Sequence, residues 1–319
     1  MMKRNLMVGI DEYILKNDRL EVRFLNIGGA ITKIALAEDD FQENLVLAYN
    51  DPKDYLNNKM FLNTLIGRTS NRIKDGKFPL NGEEFQLDLN DGPNNLHGGA
   101  DNLTHKDFQV SPIDNGYELA ATLAEGGFPG NLDIKVKYEL NGNALEVTYE
   151  ATTDKTTIVN LTHHAYFNLS GNLKDDVTNH LVQMPAHSVA EIDETSAFTE
   201  KLIDVAGTRF DFNTVRSVKP ESQATGYDHL YVLSGKNPAA TFEEPQSGRK
   251  LVIETTEPAM QFYSGNYIDE GTIFENGKVG IQYLGACFEA HKIPYDYASQ
   301  ILNPGEAYYQ KTTFQFSKQ

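Results

Sequence analysis

The sequence predicts a large all-β fold, an antiparallel β-sandwich of stacked sheets. Three observations predict it. Four segments, KFPLNGEEFQL, PIDNGYELAA, KVKYELNGNALEVTYEA and FENGKVGIQYL, carry Asn-Gly between apolar or alternating runs. Asn-Gly supplies the positive φ angles of tight hairpin turns. Between Asp133 and Ala151 the alternation has period two: Ile134, Val136, Tyr138 and Leu140, then Leu145, Val147 and Tyr149, are interleaved with Lys, Glu and Thr. That pattern buries one face of a hairpin and wets the other. Long helical periodicity is scarce, with room for short helical turns only at 52–65 and 195–205.

The chain has 319 residues without a fixed-period repeat, a low-complexity tract or a composition shift, so residues 1–319 read as one domain. A core of that size needs no covalent staples. The single cysteine, Cys287, excludes an intramolecular disulfide framework and fits a reducing, cytoplasmic setting. The opening MMKRNLMVGIDEY has too short an apolar run for a signal peptide. No run approaches the roughly 20 apolar residues of a membrane span. A net charge of −17 disfavours nucleic acid and anionic membranes as partners.

The stretch NLTHHAYFNLSG places two histidines side by side. Read as a strand over 157–169, one face carries Val159, Leu161, His163, Ala165, Phe167 and Leu169, and the other carries Asn160, Thr162, His164, Tyr166 and Asn168. The first is a core face with one polar intruder. The second is polar but rich in Asn, Thr and Tyr, which suits a hydroxyl-bearing ligand. Alternation therefore favours His164 as the functional histidine, against the plainer role of bonding a neighbouring strand. In YLGACFEAHKI, Glu289 stands among small and apolar residues. Partial burial there raises a carboxyl pKa and makes a better proton acceptor near neutrality; the plainer reading is an exposed edge-strand Glu.

Other candidates are weaker singly. His97 precedes two glycines in NNLHGG, which permit a sharp turn or close approach to a ligand. Arg68 and Arg72 in GRTSNRI offer guanidinium forks. Asp228 and His229 open a strand in GYDHLYVL, where Asp is often a turn residue. No nucleophile elbow, phosphate loop or dinucleotide fingerprint is present. A zinc site from His97, His164 and Glu289 is conceivable but nothing local requires it, and the neighbours of Cys287 read as packing.

Together these segments resemble the aldose 1-epimerase (galactose mutarotase) family. GRTSNRI, NNLHGG, NLTHHAYFNL, YDHLYVL, QFYSGN, CFE and NPGE match its motifs in family order from Gly67 to the C-terminus, and LEVRFLNIGGAITKIAL fits its opening strands more loosely. The resemblance implies a galactose mutarotase-like supersandwich and interconversion of the α and β anomers of free aldoses. It implies no cofactor and no metal, a free sugar as the partner, and a monomer or homodimer. It implies that His164 protonates the ring oxygen, Glu289 accepts the anomeric proton, and His97 holds the ring-oxygen side. Arg72, Asn71, Asp228 and Gln261 would bind sugar hydroxyls. The chain departs from the family after Glu289, where AHKIPYDYASQ replaces the common T-Q and P-D-A text; this puts sugar preference in doubt. Three alternatives stay open: a disaccharide epimerase, a hexose-6-phosphate epimerase, which needs extra basic residues, and a catalytically silent sugar-binding module.

Overall fold

The computed structural model describes residues 2–221 and 225–319. All four Asn-Gly segments turn the chain as expected. Lys77–Leu80 pairs with Glu83–Gln86, Gln109–Ile113 with Gly116–Leu123, Leu132–Asn141 with Ala144–Thr153, and Ile273–Phe274 with Lys278–Val279. In the third hairpin Ile134 lies opposite Ala151, Val136 opposite Tyr149 and Tyr138 opposite Val147, so the predicted apolar face is continuous across both strands.

Two antiparallel sheets form the sandwich. The larger has nine strands, in the order Gln109–Ile113, Gly116–Leu123, Leu132–Asn141, Ala144–Thr153, Tyr308–Lys318, Arg249–Thr255, Ala240–Glu244, Leu181–Gln183 and Arg216–Ser217. The smaller has six: Tyr166–Phe167, Ala286–His291, Ala259–Tyr263, Asp228–Leu233, Ala186–Ile192 and Phe198–Asp204. A separate N-terminal sheet, Met2–Met7 through Ile31–Leu36, adds its inner residues Tyr13, Val22 and Phe24 to the same core. Phe242 of the large sheet meets Phe288 of the small one at 5.2 Å between ring centroids, and Phe314 meets Phe167 at 5.4 Å. Each fully buried phenylalanine contributes about 1.5–3 kcal/mol, so these contacts hold the sheets face to face.

This packing decides which face of the small sheet is free for chemistry. On Ala286–His291, Ala286, Phe288 and Ala290 enter the core. The pleat sends Glu289 to the opposite face. On Ala259–Tyr263, Met260 and Phe262 enter the core, which sends Gln261 and Tyr263 to the face of Glu289. Register completes the alignment, with Gln261 opposite Glu289 and Asp228 opposite Tyr263.

Two expectations are corrected. The stretch around 195–205 contains no helical turn. Phe198–Asp204 is the edge strand of the small sheet, and Thr199 to Asp204 are largely solvent-facing. Its charged Glu200, Lys201 and Asp204 discourage further strand pairing at that edge. The segment 157–169 is not one strand but three two-residue strands with different partners. Thr157–Ile158 pairs with Ile301–Leu302, Thr162–His163 with Leu65–Ile66, and Tyr166–Phe167 with Ala286–Cys287. Each change of partner breaks the ladder. A short 3₁₀ helix does form at Pro52–Asn57, started by Asp51, whose side chain accepts from the Lys53 amide.

Candidate active site

On the outer face of the small sheet lies a cavity of about 280 Å³, close to the lower end of the range of about 300–1,000 Å³ typical of small-ligand clefts. Its lining includes all seven residues expected from the sequence: His164, Glu289, His97, Arg72, Asn71, Asp228 and Gln261. They come from six separate parts of the chain. Glu289, Gln261 and Asp228 stand on adjacent strands, while His164, His97 and Asn71 come from irregular segments and Arg72 opens the short strand Arg72–Ile73, paired with Asn95–Leu96.

Each irregular segment is held by its own chemistry. The His164 backbone is fixed on both sides, its amide donating to the Thr64 carbonyl at 2.9 Å and its carbonyl accepting from Asn63 at 3.0 Å. His97 has φ 54°, a left-handed conformation unusual for a non-glycine residue. The glycine after it is required: at Gly98, φ is +89° and a Cβ would lie 2.5 Å from the Gly67 carbonyl oxygen. That close approach explains the His-Gly-Gly text.

His164 Nε2 stands 3.5 Å from Glu289 Oε1, and both side chains are buried. Burial pushes the Glu289 carboxyl well above the usual carboxylate range, with Asp228 adding in the same direction and Arg72 opposing. Burial also pushes His164 down to about 4. Both shifts favour neutral forms, a protonated carboxyl beside an uncharged imidazole. Moving the carboxyl proton across to Nε2 creates the carboxylate and imidazolium without exchange with solvent.

His97 Nδ1 accepts the Asn71 backbone N–H at 3.1 Å. Burial pushes its pKa well down, so the ring is neutral and its one proton sits on Nε2, as a donor. Asn71 extends the network sideways. Its Nδ2 donates to Gln261 Oε1 at 3.0 Å, and Gln261 Nε2 donates to Asp228 Oδ1 at 2.7 Å. Asn71 Oδ1 accepts the Arg72 amide at 2.9 Å, and Arg72 Nε donates to Asp91 at 2.7 Å. Burial raises the Asp228 carboxyl, while Arg72 and the Gln261 bond oppose. The cavity thus presents donors and acceptors already held by one another.

The ligating atoms of His97, His164 and Glu289 lie within 4.8 Å of one another, but this donor set does not fit a metal. Ligation through His97 Nε2 would move the ring proton to Nδ1, where it would face the Asn71 N–H. His164 Nδ1 has no partner, whereas ligating histidines almost always donate their second ring N–H.

Several candidates play other parts. His163 faces the core, where its Nε2 meets the Tyr138 hydroxyl at 3.1 Å. Arg68 is buried and spends its fork on the carbonyls of Leu123, Ala124, Pro129 and Gly130. His229 accepts the Asp228 amide through Nδ1 and is not among the cavity lining. Cys287 is buried in a cluster with Tyr166 and Tyr263. On the His164 face, Asn160, Thr162 and Asn168 bond backbone groups of the small sheet and its flanking loops rather than facing the cavity. Only His164 and Tyr166 of that face reach it.

Sequence reasoning placed Tyr166 on the ligand-suited face with His164, and missed the aromatic walls Phe61, Tyr263 and Tyr267 and the rim residues Lys59, Met60 and Leu96. A signal existed for Tyr263, which is two residues from Gln261 and so shares a face with a named site residue. Phe61 carried none, because it sits on a loop at φ 54°.

The aldose 1-epimerase family profile matches residues 11–315. Bovine (Bos taurus) galactose mutarotase is 34% identical over 97% of this chain and 94% of its own length. The aldose 1-epimerase of Escherichia coli K12 is 33% identical over 89% of this chain and 88% of its own length. Among solved structures, galactose 1-epimerase from Lactobacillus acidophilus superposes with a TM-score of 0.88 at 30% identity, covering 99% of this chain and 98% of that one. A GalM/aldose epimerase homologue from C. elegans, at 24% identity, shares the fold with a TM-score of 0.89 over 97% of this chain and 99% of its own. With the profile spanning nearly the whole chain and the buried carboxyl–imidazole pair in the cleft, the chain belongs to the aldose 1-epimerase family.

Proposed function

We propose that this protein interconverts the α and β anomers of free aldoses, with His164 as general acid and Glu289 as general base. The observation that carries the reading is the buried His164–Glu289 pair, 3.5 Å apart, with burial favouring the neutral form of each group. In the productive tautomer the Glu289 carboxylate takes the proton of the anomeric hydroxyl while the His164 imidazolium gives its proton to the ring oxygen. The bond between C1 and the ring oxygen breaks and C1 becomes an aldehyde. Rotation about C1–C2 presents the other carbonyl face. The C5 hydroxyl oxygen attacks it, returning its proton to His164, and the carbonyl oxygen recovers its proton from Glu289. Acid and base end in their starting states, so the cycle balances with no further reactant.

The remaining residues take supporting roles in this reading. His97 Nε2–H donates to the ring-oxygen side. Asp228, Gln261 and Arg72 hold hydroxyls, keeping the open chain near its closing geometry. The side chain of Asn71 is already engaged at both ends, so it orients Gln261 and Arg72 more than it binds sugar. Among the described lining residues Lys59 is the only cation besides Arg72, which is engaged by Asp91. That single rim lysine supports a neutral sugar over a phosphorylated one.

Polarimetry tests the proposal. Freshly dissolved α-D-glucose, α-D-galactose and maltose are followed with wild type, Glu289→Gln and His164→Asn. Wild type is expected to speed the approach to equilibrium rotation, and both variants to lose most of that rate while folded. Rate enhancement only on a hexose 6-phosphate, or sugar binding without turnover, would overturn it.

A further inference from the structure

We propose that Tyr166 is a positioning residue for His164, holding the imidazole through an aromatic enclosure in place of the usual hydrogen bond to its second nitrogen; this rests on the reading of His164 as the acid. A catalytic imidazole is ordinarily oriented by a carboxylate or carbonyl on the nitrogen that does not meet the substrate. His164 Nδ1 is buried and has no such partner. Rings hold it instead. Tyr166 stacks on it at 4.9 Å between centroids and 21° between planes, and Phe61 lies at 6.3 Å and 22°. His97 and Tyr263 meet it edge-on at 5.5 Å and 6.4 Å.

Tyr166 builds two parts of this enclosure. Its ring supplies the nearest face. Its hydroxyl donates to the Met60 carbonyl at 3.0 Å, anchoring the loop that presents Phe61. Phe61 at φ 54° and Asn63 at φ 56° are both left-handed, a conformation a bulky residue keeps only when its surroundings impose it. The Tyr166 amide also donates to Asn63 Oδ1 at 2.7 Å, and the Asn63 amide to the His164 carbonyl. One residue therefore ties the stacking face, the loop and the histidine backbone together. Aromatic faces attract a cation, so the enclosure favours the imidazolium that must form during turnover. The other ionisable groups around His164 are Glu289 on Ala286–His291, Tyr263 on Ala259–Tyr263, His97 on its loop, and the adjacent His163; Asp228, Arg72, Lys59 and Tyr267 share the cavity.

The test is the pH–rate profile of mutarotation for wild type, Tyr166→Phe, Tyr166→Leu and Phe61→Leu. Weakening the stack disfavours the doubly protonated pair, whose second proton sits on His164, and leaves loss of the carboxyl proton untouched. In Tyr166→Leu the acid limb should move to lower pH by about one unit while the alkaline limb stays. Its kcat should fall at least about tenfold with KM nearly unchanged. Tyr166→Phe keeps the ring but loses the bond to the Met60 carbonyl, and should move the acid limb no further than Phe61→Leu does. Phe61→Leu leaves the Tyr166 ring and hydroxyl intact, and should move the same limb by a smaller amount should Tyr166→Leu not fold. An unmoved acid limb in folded Tyr166→Leu and in Phe61→Leu, or a loss confined to KM, overturns the proposal. His164→Asn with undiminished kcat would instead remove the acid assignment itself, whatever the stacking variants do.

Discussion

Asn71→Ala separates the hydrogen-bond relay from the acid–base pair. The substitution removes the donor to Gln261 Oε1 and the acceptor of the Arg72 amide. Each polar group left stranded in a buried site costs about 1–3 kcal/mol. Asn71 also has φ 64°, which Asn tolerates and which costs Ala about 1–2 kcal/mol. Water entering from the cavity relieves part of the first cost, so about 3 kcal/mol is expected in all. For a chain of 319 residues, an unfolding entropy of about 2.1 cal/mol/K per residue turns that into a drop of about 4 °C in Tm. The kinetic effect is selective. His97 Nδ1 is bonded to the Asn71 backbone amide, which Ala retains, so the donor at His97 Nε2 stays in place. Gln261 and Asp228 lose their orientation. KM for the aldose should rise about tenfold, equivalent to one hydroxyl contact of about 1.4 kcal/mol, while kcat stays within about threefold. Thermal melts and initial-rate polarimetry check both halves. A variant with unchanged KM and Tm, or one that loses kcat at constant KM, would refute the relay.

Two further outcomes follow from the buried histidines. His163→Leu should keep most of kcat and change stability by no more than about 1 kcal/mol, since it replaces a ring with one unpartnered nitrogen while Tyr138 still donates to the Gly29 carbonyl; a rate as low as that of His164→Asn would mean the two histidines have been assigned the wrong way round. Stability should also fall on mild acidification. Burial pushes His163 down to about 3, and His164, His180 and His291 to about 4, from an ordinary 6.5. The unfolded chain then binds more protons, so this stability is complete above pH 6.5 and is lost as pH falls from 6.5 toward 4. Glu289, Asp228 and Glu257, held up by burial, work in the opposite direction and offset part of it. Urea midpoints at pH 7.5, 6 and 5 should therefore fall in that order, and less steeply in His163→Leu; a flat series would contradict neutral burial of these rings.

What could be read from the sequence, and what could not, divides along physical lines. The four Asn-Gly turns were readable because their backbone requirement is local. Thr199 to Asp204 were not, because an edge strand facing solvent on most sides has no reason to alternate. The strand expected over 157–169 carried the right faces but the wrong continuity. Pairing with three different strands depends on residues 65–66, 286–287 and 301–302, and nothing within the segment records them. The same reasoning applies to the cleft. Its polar members lie in motifs, and the His164–His163 choice followed from parity alone. Of its aromatic members, Tyr166 and Tyr263 also lie in motifs, whereas Phe61 and Tyr267 were hidden among 17 Phe and 16 Tyr, since a ring that faces a ligand and a ring that faces the core look alike in text.

That asymmetry bears on how the site works. His164 and Glu289 come from segments far apart in sequence, yet the two segments are coupled by the pairing of Tyr166–Phe167 with Ala286–Cys287 and by bonds to one carbonyl. Ala290, next to Glu289, accepts from Thr162 Oγ1 at 2.9 Å and from Gln310 Nε2 at 3.0 Å, and Thr162 lies two residues before His164. These residues lie outside the cavity lining and help hold the 3.5 Å spacing of the pair, whereas in the proposed mechanism the aromatic walls bias the proton balance within it. In the proposed mechanism the polar residues of the motifs fix where the proton travels. The rings around them would determine how readily it sits on the imidazole, and a substitution there should alter the rate at each pH before it alters which sugars bind.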